Sequence, residues 1–458
     1  QTEYRQKNKD SKHISDFSFF TEKDKNTKSH FFYKYFKEYK TNHFDESMVN
    51  LKIQQSSNDT YLKANKLKSD LISDSDVLEN TFGLNLYSND LSINTEVTVY
   101  ENLNKENSDR FEYILPKFNL VKKIENKTNF NGDFSFKSQG IMRNYDTNIF
   151  EKININDFIF NSSPKITKNG FYNNFEFIFK NSNTDTQKSS NFKEGENYYV
   201  SSLFQFNTSL PLIKENENYQ NILKPKMSIK IAPNNSKNLS DRYSRIDVNN
   251  IYSLNRISED DVIEGGVSVA YGNDFSIFDK KGSKEIFSLK LANNLRIKEN
   301  DDLPQNNQIG QKTSNFFSEI LYSPNNIITA TYNTSIKNNL SDINYENLIT
   351  EFRLNNIVTT FDYLNENDST DKNSYLKNTT KLIIDDFNSL SFSTRENKKL
   401  NLTEYYNLIY QYRNDCLAAS VEYNKDFYSD RDLKPEENIF FKLTIIPFGE
   451  TSSPNLNN

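Results

Sequence analysis

The chain has 458 residues, 35% hydrophobic, 14% aromatic and 26% charged, with a formal net charge of -6. That charge, with no dense basic block, argues against nucleic acid as a partner, and no run approaches the roughly 18–20 apolar residues of a membrane-spanning helix. The apolar supply is poor for several dry cores, whereas 36 Phe and 27 Tyr argue against disorder, so a fold that needs only a thin apolar band is favoured.

Taken in chain order, strand-like segments fall at about 14–20, 30–39, 47–55, 60–67, 81–87, 91–100 and 110–121. They continue at 129–142, 152–160, 171–180, 198–210, 226–232, 249–255 and 262–271, then at 286–292, 315–322, 327–336, 347–354 and 357–363. The last are 378–384, 389–395, 403–413, 417–427 and 438–446. The clearest is LSINTEVTVY: Leu91, Ile93, Val97 and Val99 share one face, and Ser92, Asn94, Glu96 and Thr98 the other. Val49, Leu51 and Ile53 repeat the pattern, as do Leu417, Ala419, Val421 and Tyr423. This two-residue period marks strands with one oily and one wet face.

Turn residues join many of these runs: Ser323-Pro324-Asn325-Asn326, Asn355-Asn356, Asp385-Asp386-Phe387-Asn388 and Arg413-Asn414-Asp415. Asn and Asp tolerate positive φ and Pro presets it, so tight hairpins follow. Longer polar inserts at about 181–197, 212–224, 233–247 and 294–314 read as extracellular or lumenal loops, where length costs little closure entropy. Aromatics gather near strand ends, at Phe31, Phe32, Tyr33 and Tyr35, at Tyr198 and Tyr199, and at Tyr405, Tyr406, Tyr410 and Tyr412. Membrane barrels place such rings at the two lipid–water boundaries. The fold class that results is all-β, a large antiparallel transmembrane β-barrel of roughly 20–26 strands without long helices. Residues 1–450 form the barrel and 451–458 a polar tail. A soluble β-sandwich is the alternative use of the same aromatics. The chain starts at Gln1 without a signal peptide and is read as a fragment.

Catalysis finds little support, and no cofactor is expected. His13, His30 and His43 do not match a zinc motif and read as solvated. No nucleophile elbow, zincin, Walker or dinucleotide pattern occurs. Gly265-Gly266 reads as a bulge or a close backbone approach. Glu259, Asp260, Asp261 and Glu264, like Asp385 and Asp386, read as solvated loop carboxylates rather than a cation site. Cys416 is the single cysteine. It opens a strand just after a turn, and either a small buried hydrophobe or a thiol with a partner elsewhere fits.

The stretch Tyr405–Glu450 carries a Tyr-rich strand, an Asn-Asp-Cys turn, a Val-x-Tyr strand, a charged Pro-bearing loop and a final strand before a Pro/Gly tail. It resembles the end of the LptD (OstA, lipopolysaccharide-assembly) outer-membrane family. Tyr61–Pro116 resembles that family's early barrel strands. Ser209–Asn234 resembles its Leu-Pro-Leu segment. Asp241–Gly272 resembles its Asn-x-Tyr-x-Leu-Asn-Arg strand, which is followed by a Glu-Gly strand.

The resemblance implies an outer-membrane protein of a Gram-negative bacterium that moves lipopolysaccharide into the outer leaflet. The head group would cross the lumen while the acyl chains leave through a lateral seam. It further implies an LptE-like lipoprotein in the lumen and an LptA-like periplasmic bridge docked on a jellyroll. On this resemblance, the jellyroll and the first barrel strands are expected to lie outside this stretch. Outer-membrane lipid surrounds such a barrel. Ile439, Phe441, Leu443 and Ile445 would face one side of the last strand, lining the seam, with Pro447 cutting its ladder short. Cys416 falls where the family forms a disulfide to the N-terminal domain. A general diffusion porin is the alternative reading.

Overall fold

The computed structural model describes residues 1–21, 27–65, 67, 69–128, 131–233, 237–281, 284–367, 373–427, 435, 437–445 and 449–452. Among these residues the chain forms twenty-six strands, one α-helical turn, α1 (Tyr61–Ala64), and two 3₁₀ turns. The first nine strands are β1 (Thr2–Lys7), β2 (Ser11–Phe20), β3 (Lys28–Tyr39), β4 (Glu46–Ser56), β5 (Val77–Tyr87), β6 (Leu91–Asn102), β7 (Phe111–Ile124), β8 (Gly132–Tyr145) and β9 (Ile149–Ser162). Then come β10 (Lys165–Ile166), β11 (Tyr172–Gln187), β12 (Gly195–Ser209), β13 (Leu212–Glu215), β14 (Tyr219–Ala232), β15 (Gly266–Asp279), β16 (Lys284–Arg296), β17 (Phe316–Tyr322) and β18 (Ile328–Ile336). The rest are β19 (Ile343–Leu354), β20 (Ile357–Glu366), β21 (Ser374–Ile383), β22 (Asn388–Asn397), β23 (Leu402–Arg413), β24 (Leu417–Asp426), β25 (Glu437–Ile445) and β26 (Gly449–Ser452).

Neighbours in sequence pair antiparallel around one sheet. The short β10 is a flap on β11, and β13 continues the line of β12 along β14. The alternation read from the sequence is what the sheet requires. On β6, Val97 is exposed and Thr98 buried; on β24, Val421 is exposed while Ser420, Glu422 and Asn424 are buried. Apolar side chains on the exposed face and polar ones on the enclosed face are the inverse of a soluble sheet, and they fit a barrel in lipid. No described helix is long and apolar enough to cross a membrane.

Hairpin chemistry follows the sequence. Asn355 takes φ 50° in the two-residue turn between β19 and β20, a positive φ that Asn tolerates better than most residues. Asp385 Oδ1 accepts the backbone N–H groups of Phe387 and Asn388, both at 2.8 Å, closing an Asx turn. Pro116 sits where the β7 ladder skips from Ile114 to Lys117, so its missing donor costs no pairing.

Since each strand reverses the last, connections alternate between the two ends. Segments 57–76, 233–265 and 297–315 all fall at one end. The connections 88–90, 355–356 and 414–416 fall at the other.

Several expectations need correction. Residues 60–67 are not a strand, since Tyr61–Ala64 is helical. Nor are residues 249–255, where Asn250–Tyr252 is a single 3₁₀ turn. Asp247 Oδ1 accepts the N–H groups of Asn249 and Asn250 there, and this capping diverts the backbone from an extended path. The insert expected at 181–197 shrinks to 188–194, because β11 and β12 extend past it. Of the expected tail, Thr451 and Ser452 lie in β26, and residues 453–458 lie outside the described residues.

Candidate functional site: a filled mouth and a short seam

The long connections fold back onto the enclosed face of the sheet. From segments 233–265 and 297–315, Leu239, Ile246, Val248, Ile251, Ile257, Val262, Leu303 and Ile309 form one buried cluster. It packs on Ala270 of β15, Ala292 of β16 and Phe317 of β17. Tyr271 and Leu291, adjacent in sequence to these alanines, are exposed, so the loops lie opposite the lipid-facing side. Each fully buried aliphatic side chain contributes roughly 1.5–3 kcal/mol, which holds the assembly in place.

Ion pairs then fix its register. Arg256 grips Glu264 with two bonds of 2.6 and 2.5 Å, and reaches Asn294 Oδ1 of β16 at 2.8 Å and Ser268 Oγ of β15 at 3.0 Å. Arg296 of β16 adds a bond to the same carboxylate at 2.5 Å. Lys180 of β11 donates to Asp157 of β9 at 2.7 Å and to the Asp260 carbonyl at 2.6 Å. Gln205 of β12 donates to the Tyr252 carbonyl at 2.6 Å. Burial works against the charged form of Glu264, but Arg256, Lys230 and Arg296 outweigh it and hold its carboxyl well below the usual carboxylate range. Glu264 is therefore a buried structural carboxylate, not the solvated one expected; Asp260, Asp385 and Asp386 are exposed and Glu259 is half-buried. Gly266 takes φ +91°, and a Cβ there would meet Arg296 Nη2 at 2.8 Å. The close approach expected at Gly265-Gly266 comes from a guanidinium.

A second inward cluster sits under segment 57–76. Tyr61, Leu62 and Leu71 pack against Ile14, Phe32, Leu78 and Leu103. Phe32, expected at a lipid boundary, is thus wholly enclosed. His30 is buried rather than solvated: Nδ1 meets Ser18 Oγ at 2.8 Å, Nε2 meets Asp16 Oδ1 at 3.2 Å, and Ser18 also bonds the Tyr61 hydroxyl at 2.9 Å. Asp16 and Ser18, two apart on one strand face, gave a legible signal for such a grouping. All three side chains are buried and Tyr61 covers Ser18, so the arrangement latches the loop to the wall. His13 bonds the Tyr33 hydroxyl at 2.8 Å, and His43 is exposed. Among the described residues no group of His, Cys, Asp and Glu is placed to hold a metal ion.

The proposed seam strand is β25. Ile439, Phe441, Leu443 and Ile445 are 42%, 48%, 37% and 47% exposed, against 1% for Asn438 and 8% for Phe440. Pro447 lies outside the described residues. β25 pairs with β24 from Leu417↔Ile445 to Lys425↔Glu437. On its other edge, among the described residues, β26 pairs with Lys442–Ile445. Among the described residues β26 meets β1 at Thr2↔Thr451 and Glu3↔Glu450. The described part of the circuit is therefore joined by two residue pairs. Cys416 is an exposed free thiol in the 414–416 turn, where Asn414 Oδ1 accepts the Cys416 N–H at 3.0 Å; the reading as a small buried hydrophobe does not hold.

Among known proteins, the fold is similar to the ferric enterobactin receptor of Pseudomonas aeruginosa, in one mutant form at 10% identity and TM-score 0.43, covering 95% of this chain and 72% of that one. It is also similar to the siderophore receptor PirA of Acinetobacter baumannii, at 8% identity and TM-score 0.41, covering 97% and 80%. No curated protein matches. The family model described as LPS transport system D matches residues 17–395, from β2 into β22 and so through both inward clusters, ending before Cys416 and β25. The chain belongs to the LPS transport system D (LptD) family, a transport family of the Gram-negative outer membrane.

Proposed function

We propose that this barrel inserts lipopolysaccharide into the outer leaflet, with the head group in the lumen and the acyl chains leaving sideways past β25. The observation that carries this reading is the mismatch between the two edges of β25. Among the described residues, one edge is paired along its length and the other only over Lys442–Ile445. An unpaired strand edge is unfavourable in hydrocarbon, so this is where the wall parts at least cost. The expected LptE-like lipoprotein would occupy the lumen space left by the inward loops. The LptA-like bridge would deliver lipid through a jellyroll that precedes this chain. The filled mouth counts against the general diffusion porin.

β1 and β25 are separated by an even number of antiparallel steps, so they point the same way and cannot pair antiparallel. β26 lies between them, pairs antiparallel with both, and gives the wall an even strand count, as bacterial barrels require. Cysteines at Thr2 and Thr451 test the sideways exit. Where the two positions crosslink under oxidation, surface delivery of new lipopolysaccharide should stop and return with reductant. Unimpaired delivery through the locked form overturns the sideways exit. Failure to crosslink means that β26 and β1 do not pair at these positions, and overturns the seam.

A further inference from the structure

We propose that a crevice between the inner wall and the inward loop is a binding site for an anionic saccharide, a stopping point for a phosphate-bearing sugar. The identity of the sugar as a head group in transit rests on the function proposed above; the site itself does not. The crevice holds about 550 Å³, within the range of small-ligand sites. It opens at the end that carries the long connections. Its walls are Phe192 and Lys193 from the 188–194 connection, Tyr199 and Ser201 from β12, and Lys237 and Asp261 from the inward loop.

The lining suits a charged sugar. The Lys237 ammonium stands 3.8 Å from the Phe192 ring centroid and 3.3 Å from Asp261 Oδ2, so this cation is held in place before any ligand arrives. Lys193 brings a second ammonium, with no ion-pair partner among the described residues. The Phe192 face is covered by Lys237, which leaves Tyr199 to offer an aromatic surface to the C–H face of a pyranose. Ser201 offers a hydroxyl to its oxygens. Tyr199 and Ser201 share a strand face with Lys180 opposite Ser201, which places both on the enclosed side. Tyr198, one residue away, turns outward and bonds Glu196 at 3.0 Å. An open pore would require none of this convergence. A protein ligand would find the crevice too small.

The sequence contains no tryptophan, so Tyr199→Trp adds a local fluorescent reporter to the full-length protein. The probe is deacylated, phosphorylated core oligosaccharide; the controls are the same oligosaccharide after phosphatase treatment, and inorganic phosphate. A saturable change with the phosphorylated probe is expected, at least tenfold weaker with either control. It should weaken at least tenfold again when Lys193→Gln and Lys237→Gln are combined, in protein that keeps the gel mobility of a folded barrel. Tyr198→Trp should show no saturable change. Equal response to the dephosphorylated sugar, an unchanged response in the lysine variant, or no saturable response at all overturns the site. A response to inorganic phosphate equal to that of the sugar reduces it to a simple anion site and overturns the saccharide assignment. Lipid export that stops in the seam-locked protein, together with no signal here, removes this site and leaves the sideways exit intact.

Discussion

At the residue scale, Glu264 is the side chain on which the inward loop depends most. Its carboxylate is gripped by Arg256 and Arg296, and removing one partner of a buried ion cluster costs about 3–5 kcal/mol. Glu264→Gln should lower the unfolding free energy by about that amount, read by denaturant titration in lipid vesicles. The pH dependence follows from linkage. A carboxyl held below its ordinary value of 4.5 stabilises the fold fully above that pH, and the contribution fades as pH falls toward the lowered folded value. Wild type should thus lose stability on acidification below about pH 4.5, and Glu264→Gln should lose less. The sequence shows Glu264 only as one of several loop acids. Its partners come from eight residues earlier and from a strand thirty-two residues later, a convergence that local pattern does not encode. His30 is the same lesson: Asp16 and Ser18 share a readable face, but only the pairing of β2 with β3 brings the imidazole between them.

At the scale of elements, the period-two pattern carried most of the sheet because a lipid-facing strand must alternate. Val421 on β24 and Ser391 on β22 test the two faces. Val421→Arg places a charge in lipid and should cost about 2–4 kcal/mol near the bilayer centre. Ser391→Lys, on the face shared with Lys381 and Ile409, should change stability far less; refolding titrations into vesicles compare them. Equal costs would mean that the two faces do not differ in polarity. The pattern failed where elements are shorter than a period can register. Tyr61–Ala64 is one α-helical turn, and Asn250–Tyr252 one 3₁₀ turn. Their Tyr and Ile residues look like strand residues, and they are buried by tertiary contact with the wall rather than by a sheet neighbour. The Asp247 cap was the available signal for the second of these.

At the scale of the whole molecule, the two ends differ. Outer-membrane barrels keep short turns on the periplasmic side and long loops outside, so we propose that Cys416 lies on the periplasmic side, where a cysteine of a family-type N-terminal domain would pair with it. A disulfide from Cys416 to that domain is the expected outcome. A non-reducing gel of the full-length protein should show a mobility shift that Cys416→Ser abolishes; identical mobilities would mean the thiol stays free. The barrel class and the polarity of its faces were legible in the sequence, because lipid imposes them on every strand. The closure was not, since pairing between chain ends leaves no local trace.

The crowding of long polar connections at one end bears on how the molecule enters its membrane. A barrel approaching from the periplasm must carry that end through the hydrocarbon first, with the peptide groups of segment 233–265 leaving water, at a cost of several kcal/mol for each group left without a partner. Folding the segment against the nascent wall before transit would hide many of those groups, so the ion cluster at Glu264 also lowers the barrier to insertion, and its loss should slow assembly more than it weakens the finished barrel.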